Sequence, residues 1–190
     1  MTTFINILTI SRILAAGFIF ILLMSPDGYF KALIIFFLAS ISDFVDGFLA
    51  RKYNSVSELG EILDPIADKI LIVFAFFGLA VNLDSYLIGF VGSVIITREI
   101  WVAALRDLNA RRNNTSATKV TFLAKIKTSI QLFTIGIYLF GLTLNNMLMI
   151  QFGHIFLIIS LLITIYTGFL YTINSFKKII DWNKMEDNYG

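Results

Sequence analysis

Cysteine is absent from the 190-residue sequence, which excludes disulfides and thiolate metal sites and says little about compartment. Histidine occurs once, as His154, alone and far from the other ionisable groups, so an imidazole metal centre is not expected. Charge is scarce too: 15% of the residues are Asp, Glu, Lys or Arg, where a soluble domain carries about 25%. The net charge of +2 is too small to imply a nucleic-acid partner. No basic n-region opens MTTFINILT and no small-residue cleavage site follows the first apolar run, so this segment is expected to belong to the mature protein. Internal repeats and low-complexity stretches are also missing.

What the chain has instead is apolar surface. Hydrophobic residues make up 57% of it, against about 45–50% in a soluble domain, which marks a membrane protein. A hydrocarbon core of about 30 Å needs roughly 20 residues per helix, so this length allows about six spans and no separate soluble domain. The apolar runs are continuous rather than alternating, which favours helices over a β-barrel. The fold class expected is an all-α integral membrane protein with six transmembrane helices, in one domain covering 1–190.

The spans are expected at 4–24, 29–50, 62–81, 86–108, 120–144 and 149–176. Residues 2–10 are expected to lie partly in the interface, and the tail 181–190 to fray. Ser25-Pro26-Asp27-Gly28, Asn82-Leu83-Asp84-Ser85 and Asn145-Asn146 read as turns; 53–60 and 109–119 read as polar loops. Arg51, Lys52, Arg106, Arg111, Arg112, Lys119, Lys177, Lys178 and Lys184 fall on one side, and Lys31 alone falls in the opposite loops. The positive-inside rule then places the basic side and both termini in the cytosol. Arg12, Arg98, Lys125 and Lys127 sit at the cytosolic ends of their helices on this topology.

Asp43 to Asp68 is the stretch that needs explaining. Asp43 and Asp46 share a helix face at i, i+3; Gly60, Asp64 and Asp68 form an i, i+4, i+8 stripe on the next helix. Two adjacent antiparallel helices thus present four like charges to one space, close to bilayer depth, where charge is costly without a partner. Gly47, Ala50 and Gly60 leave room for a ligand, and Arg51 is placed to pair with a phosphate. Two readings stay open on residues alone. One is a proton relay or cation path through the membrane. The other is a pair of hard divalent cations on oxygen ligands, acting on a phosphate.

The order Asp43-x2-Asp46-Gly47-x2-Ala50-Arg51-x8-Gly60-x3-Asp64-x3-Asp68 matches at all eight fixed positions the signature of the CDP-alcohol phosphatidyltransferase family, which the chain resembles over most of its length. The resemblance implies that Asp43, Asp46, Asp64 and Asp68 bind two divalent cations, Mg²⁺ or Mn²⁺, with Asp68 as general base. It implies that Asn6, Thr9, Gly47, Ala50, Arg51, Ser57 and Gly60 contact CDP-diacylglycerol. It also implies a homodimer in the bacterial cytoplasmic membrane, with the active site on the cytosolic face.

Four further segments resemble the phosphatidylglycerophosphate synthase branch of that family. They are NILTISR (Asn6–Arg12), LDPIADK (Leu63–Lys69), TREIWVAALR (Thr97–Arg106) and AKIKTSIQ (Ala124–Gln131). Ile5 replaces the branch's usual proline, and Ala104 and Ala124 replace glycines. The implied reaction is attack by the 1-hydroxyl of sn-glycerol 3-phosphate on the phosphorus bearing diacylglycerol, with CMP leaving. The acceptor's own phosphate needs cations, for which Arg98, Arg106, Lys125 and Lys127 are the candidates. Competing roles are an internal pair with Glu99 for Arg98, although i, i+1 residues do not share a helix face, and snorkelling to lipid headgroups for the two lysines. Within the family, a synthase using phosphatidylglycerol, serine or inositol phosphate is the alternative; outside it, a cation or proton transporter.

Overall fold

The computed structural model describes the backbone of residues 2–53, 58–111 and 122–189, and the side chains of 6–42, 63–111 and 126–177. Six long helices carry it: α1 (Thr2–Leu22), α2 (Tyr29–Tyr53), α3 (Glu58–Asn82), α4 (Tyr86–Arg111), α5 (Phe122–Thr143) and α6 (Met147–Tyr189). A single 3-10 turn, Pro26–Gly28, joins α1 to α2. There, a Cβ on Gly28 would lie 2.0 Å from the Leu22 carbonyl oxygen, so only glycine lets the chain reverse this tightly.

Two other reversals use left-handed backbone instead. Asp84 and Asn145 adopt φ of 46° and 49°, the left-handed region that Asp and Asn tolerate best among residues with a side chain. Ser85 N–H then reaches back to the Ala80 carbonyl at 2.9 Å, and Asn146 N–H to the Gly141 carbonyl at 2.9 Å, each closing its helix in a Schellman motif. Asn82 locks the same end of the bundle by donating to the Leu23 carbonyl at 2.6 Å and to Tyr29 Oη at 2.8 Å.

Neighbour relations close into a ring: α3 packs on α1, α1 on α2, α2 on α5, α5 on α6, α6 on α4 and α4 on α3, with α3 also touching α5 across it. The core holds Ile19, Leu23, Phe36, Phe76, Leu79, Ile88, Ile135, Tyr138 and Leu157. The radial pattern is the reverse of a soluble protein's. Phe18, Phe30, Leu38, Phe90, Phe152, Leu162 and Phe169 face outward, while Arg12, Arg98, Lys127, Gln131, Thr134, Thr164 and Thr167 are buried. That is the arrangement expected when the solvent is lipid and polar groups turn into the bundle. Among the described residues, three helical segments are long and apolar enough to cross a membrane: Tyr86–Arg111, Ile126–Thr143 and Met147–Lys177.

Several boundaries differ from those expected, for local reasons. Helix α1 is continuous from Thr2, because no proline or glycine interrupts it before Gly17. Helix α6 runs on to Tyr189, past the expected end of the span at 176, because its polar end contains neither glycine nor proline to stop it. Helix α3 starts at Glu58, so Pro65 lies inside it rather than in its first turn. A proline there lacks the N–H that would bond the Glu61 carbonyl, one turn back beside Gly60.

Candidate active site

The two described aspartates of the motif are held from behind by α1. Thr9 and Arg12, one turn apart, present side chains to the stripe on α3. Thr9 Oγ1 donates to Asp64 Oδ1 at 2.6 Å, and Arg12 Nη1 donates to Asp68 Oδ1 at 2.6 Å. Thr9 and Arg12 are buried, whereas the Asp68 side chain keeps 35% of its surface. The bundle thus supplies a fixed internal cation for a carboxylate whose other side opens outward, which offsets part of the cost of placing charge at this depth.

Asp68 opens onto a cavity of about 460 Å³ between α3, α4 and α5. Its polar lining comes from Asp68 and Lys69 on α3, Glu99 and Arg106 on α4, and Lys127, Thr128 and Gln131 on α5. Glu99, Ala103 and Arg106 follow one another at i, i+4, i+7, so one face of α4 makes this wall.

Glu99 gathers cations from three helices. Its carboxylate accepts from Arg98 Nη1 at 2.8 Å and from Lys127 Nζ, and Lys69 Nζ stands at 4.0 Å. Arg98 is buried between α4 and α6: Nη2 donates to Thr167 Oγ1 at 3.2 Å, and the guanidinium lies over the Tyr171 ring. The internal pair of Arg98 with Glu99 is therefore present. Adjacent residues do not share a face, but the long arginine side chain curls back to its neighbour's carboxylate. Lys127 is 4% exposed and turned to Glu99, so it does not extend outward toward headgroups. Arg106 also lies over the Tyr171 ring, and it lines the cavity.

The expected site residues fall into three groups. Asp64, Asp68, Arg106 and Lys127 meet around the cavity and its α1 backing; Arg98 stands behind Glu99 and is not part of the lining. Thr9 spends its hydroxyl on Asp64, and Asn6 lies half-buried one turn earlier on α1. Asp43, Asp46, Gly47, Ala50 and Arg51 lie on α2, Gly60 on α3 and Lys125 on α5, with side-chain positions outside the described residues; Ser57 lies wholly outside them.

Arg12 and Lys69 belong to the site without a role expected from sequence, and Glu99 was expected only as a competing partner of Arg98. The spacing Thr9-x2-Arg12 and the presence of Glu99 inside an apolar helix were available signals, since an ionisable group in a membrane helix implies a partner. Thr167, Gly168 and Tyr171 on α6 also support the site, and nothing in their sequence context distinguishes them.

The donor set fits hard divalent cations. Asp64 and Asp68 offer carboxylate oxygens one turn apart on α3, Asp68 lining the cavity and Asp64 held by Thr9, and the chain has no cysteine. Among the described residues no group of three acidic or imidazole ligands assembles, because the other two aspartates of the motif contribute side chains outside that set.

Comparison with known proteins agrees with this geometry. A protein of Rickettsia bellii (strain RML369-C) named CDP-diacylglycerol–glycerol-3-phosphate 3-phosphatidyltransferase is 38% identical over 169 residues, covering 87% of this chain and 91% of that one. Proteins of the same name from Wigglesworthia glossinidia brevipalpis and Escherichia coli (strain K12) are 36% and 32% identical. Those matches cover 67% and 69% of this chain and 71% and 73% of theirs. The family model for CDP-alcohol phosphatidyltransferase matches residues 2–166, and the chain belongs to that family.

Proposed function

We propose that the protein transfers the phosphatidyl group of CDP-diacylglycerol to sn-glycerol 3-phosphate, forming phosphatidylglycerophosphate and releasing CMP. The observation that carries this reading is one cavity joining the motif's Asp68 to a wall bearing Lys69, Arg106 and Lys127. A motif carboxylate and a cluster of cations in one space, with Asp64 one turn away on α3, suit two phosphate-bearing substrates. The names of the three relatives support the choice of acceptor.

Asp43, Asp46, Asp64 and Asp68 would hold two divalent cations, Mg²⁺ or Mn²⁺, which neutralise charge on the donor diphosphate and the departing CMP. Asn6, Thr9, Gly47, Ala50, Arg51, Ser57 and Gly60 would contact the donor. Thr9 and Arg12 fix the carboxylates of Asp64 and Asp68. Asp68 accepts the proton of the acceptor's 1-hydroxyl as its oxygen bonds to the phosphorus carrying diacylglycerol. The bond from that phosphorus to the CMP oxygen breaks, and CMP carries away the electron pair. Arg106, Lys125 and Lys127 hold the acceptor phosphate, with Arg98 braced behind them. A small cavity of about 20 Å³ lined by Asp68, Ser40, Leu71, Thr128 and Leu132 shares Ser40 and Leu132 with an apolar groove of about 500 Å³ on α2 and α5, walled by Phe36, Phe37, Phe133 and Phe140. Such a groove suits the donor's acyl chains.

The same reading places six helices across a bacterial cytoplasmic membrane, both termini and the cavity on the cytosolic side, and two copies in a homodimer. The testing experiment is CMP release by purified enzyme with CDP-diacylglycerol, Mg²⁺ and an acceptor panel. Release with glycerol 3-phosphate supports the reading. Release with phosphatidylglycerol, serine or inositol phosphate instead would transfer the chain to another acceptor within the family. Cation flux in liposomes without CMP release would replace the enzyme by a transporter.

A further inference from the structure

We propose that Tyr171 is a positioning residue for the acceptor phosphate, acting through Arg106. The inference rests on the reading that the cavity takes a phosphate-bearing acceptor. Tyr171, on α6, is 3% exposed, and its ring centroid lies 5.5 Å from Cζ of Arg98 and 5.5 Å from Cζ of Arg106. The two arginines stand at i, i+8 on α4, about two turns apart, and one aromatic ring meets both guanidinium groups.

Their situations differ. Arg98 is buried, and its donors are committed to Glu99 and Thr167. Arg106 is exposed, lines the cavity, and has no carboxylate at ion-pair distance among the described residues. Lys127, across the cavity, spends one donor on Glu99. Arg106 is therefore the guanidinium available to an incoming anion.

The type of contact matters. A carboxylate partner would orient Arg106 by occupying the same N–H groups that a phosphate needs. An aromatic face orients the guanidinium through its plane and leaves the in-plane N–H donors for bidentate binding. Tyr171 thus holds Arg106 ready without competing for it. The ring also meets Arg98, which is tied to Glu99 on the cavity wall. Helix α6 acts on the acceptor side without lining it.

The test is steady-state kinetics of the full-length protein with CDP-diacylglycerol and glycerol 3-phosphate, for Tyr171→Leu, Tyr171→Phe, Arg106→Gln and the Leu/Gln double variant. A cation–π contact of this kind corresponds to about a three- to tenfold rise in the acceptor KM for Tyr171→Leu. The donor KM should stay within about twofold, and Tyr171→Phe, which keeps the aromatic face, should raise the acceptor KM less than Tyr171→Leu does. The double variant should be no worse than Arg106→Gln alone. Effects that multiply in the double variant, or equal losses in the Phe and Leu variants, would overturn the inference. Should the Leu variant be recovered unfolded, Arg106→Lys carries the test, because it keeps the charge and loses the stacking plane. Its acceptor KM rises at least threefold if stacking orients the group, and stays at the wild-type value if charge alone counts. A wild-type protein that releases no CMP with glycerol 3-phosphate removes the functional reading, and this inference with it.

Discussion

Arg12 on α1 donates to Asp68 on α3 at 2.6 Å from a position wholly out of solvent, which makes a residue outside the eight-position motif the fixed counter-ion of the motif's last carboxylate. The pair explains how a carboxylate sits at this depth and keeps one orientation.

Replacing Arg12 by Met should strand that carboxylate. Breaking a buried pair costs about 3–5 kcal/mol, and the partial exposure of Asp68 reduces this to about 1–3 kcal/mol. Thermal unfolding in detergent should show a lower Tm. The turnover rate with saturating substrates should fall about 10- to 100-fold as Asp68 loses its orientation. Arg12→Lys should recover part of both. A Met variant with wild-type Tm and turnover would remove the clamp from the mechanism.

Asp64→Asn and Asp68→Asn keep shape and remove charge. Each should lower CMP release by about a thousandfold or more, the scale of several kcal/mol of transition-state stabilisation. Chelation with EDTA should abolish activity, and added Mg²⁺ or Mn²⁺ should restore it. Near-normal CMP release by either variant would refute the assignment of these carboxylates.

Glu99 balances Arg98 and Lys127 inside the bundle, so Glu99→Gln should destabilise by about 2–4 kcal/mol. Lys127→Met alone should also destabilise. Because the two are in direct contact, the double variant should be less harmful than the sum of the singles by about 1 kcal/mol or more. Strict additivity in unfolding measurements would contradict the contact.

Two helix glycines should respond oppositely to Ala. A Cβ on Gly17 would meet nothing within 4 Å, so Gly17→Ala should raise stability by about 0.5–1 kcal/mol. A Cβ on Gly168 would lie 3.0 Å from Cγ of Arg98, whose far end is held by Glu99 and Thr167. There the helix-propensity gain should be cancelled or reversed by displacement of Arg98. Differential scanning of the two variants separates these cases; a gain at Gly168 equal to that at Gly17 would mean that Arg98 is not held.

Much of this was legible because it is carried by local chemistry. The turn residues Asp84 and Asn145 and the tight Gly28 reversal set the helix ends where the turns were expected. The Asp64–Asp68 stripe follows from helical periodicity alone. The partners of those groups were harder to see, because they depend on which helices adjoin. That α1 backs α3 is what makes Thr9, an expected donor contact, also a hydrogen-bond partner of Asp64. That α4 lies between the cavity and α6 is what splits Arg98 from Arg106, two residues equivalent in sequence. Tyr171 is one aromatic among many on apolar helices, and only the packing of α6 on α4 distinguishes it.

The most direct measurement follows the acceptor oxygen. Glycerol 3-phosphate labelled with ¹⁸O in its 1-hydroxyl is incubated with the enzyme, CDP-diacylglycerol and Mg²⁺, and the products are analysed by mass spectrometry. Attack by that hydroxyl on the phosphorus bearing diacylglycerol predicts label retained in the phosphodiester bridge of phosphatidylglycerophosphate. Unlabelled CMP should then form in equal amount. Label appearing in CMP, or CMP formed without phosphatidylglycerophosphate, would contradict it.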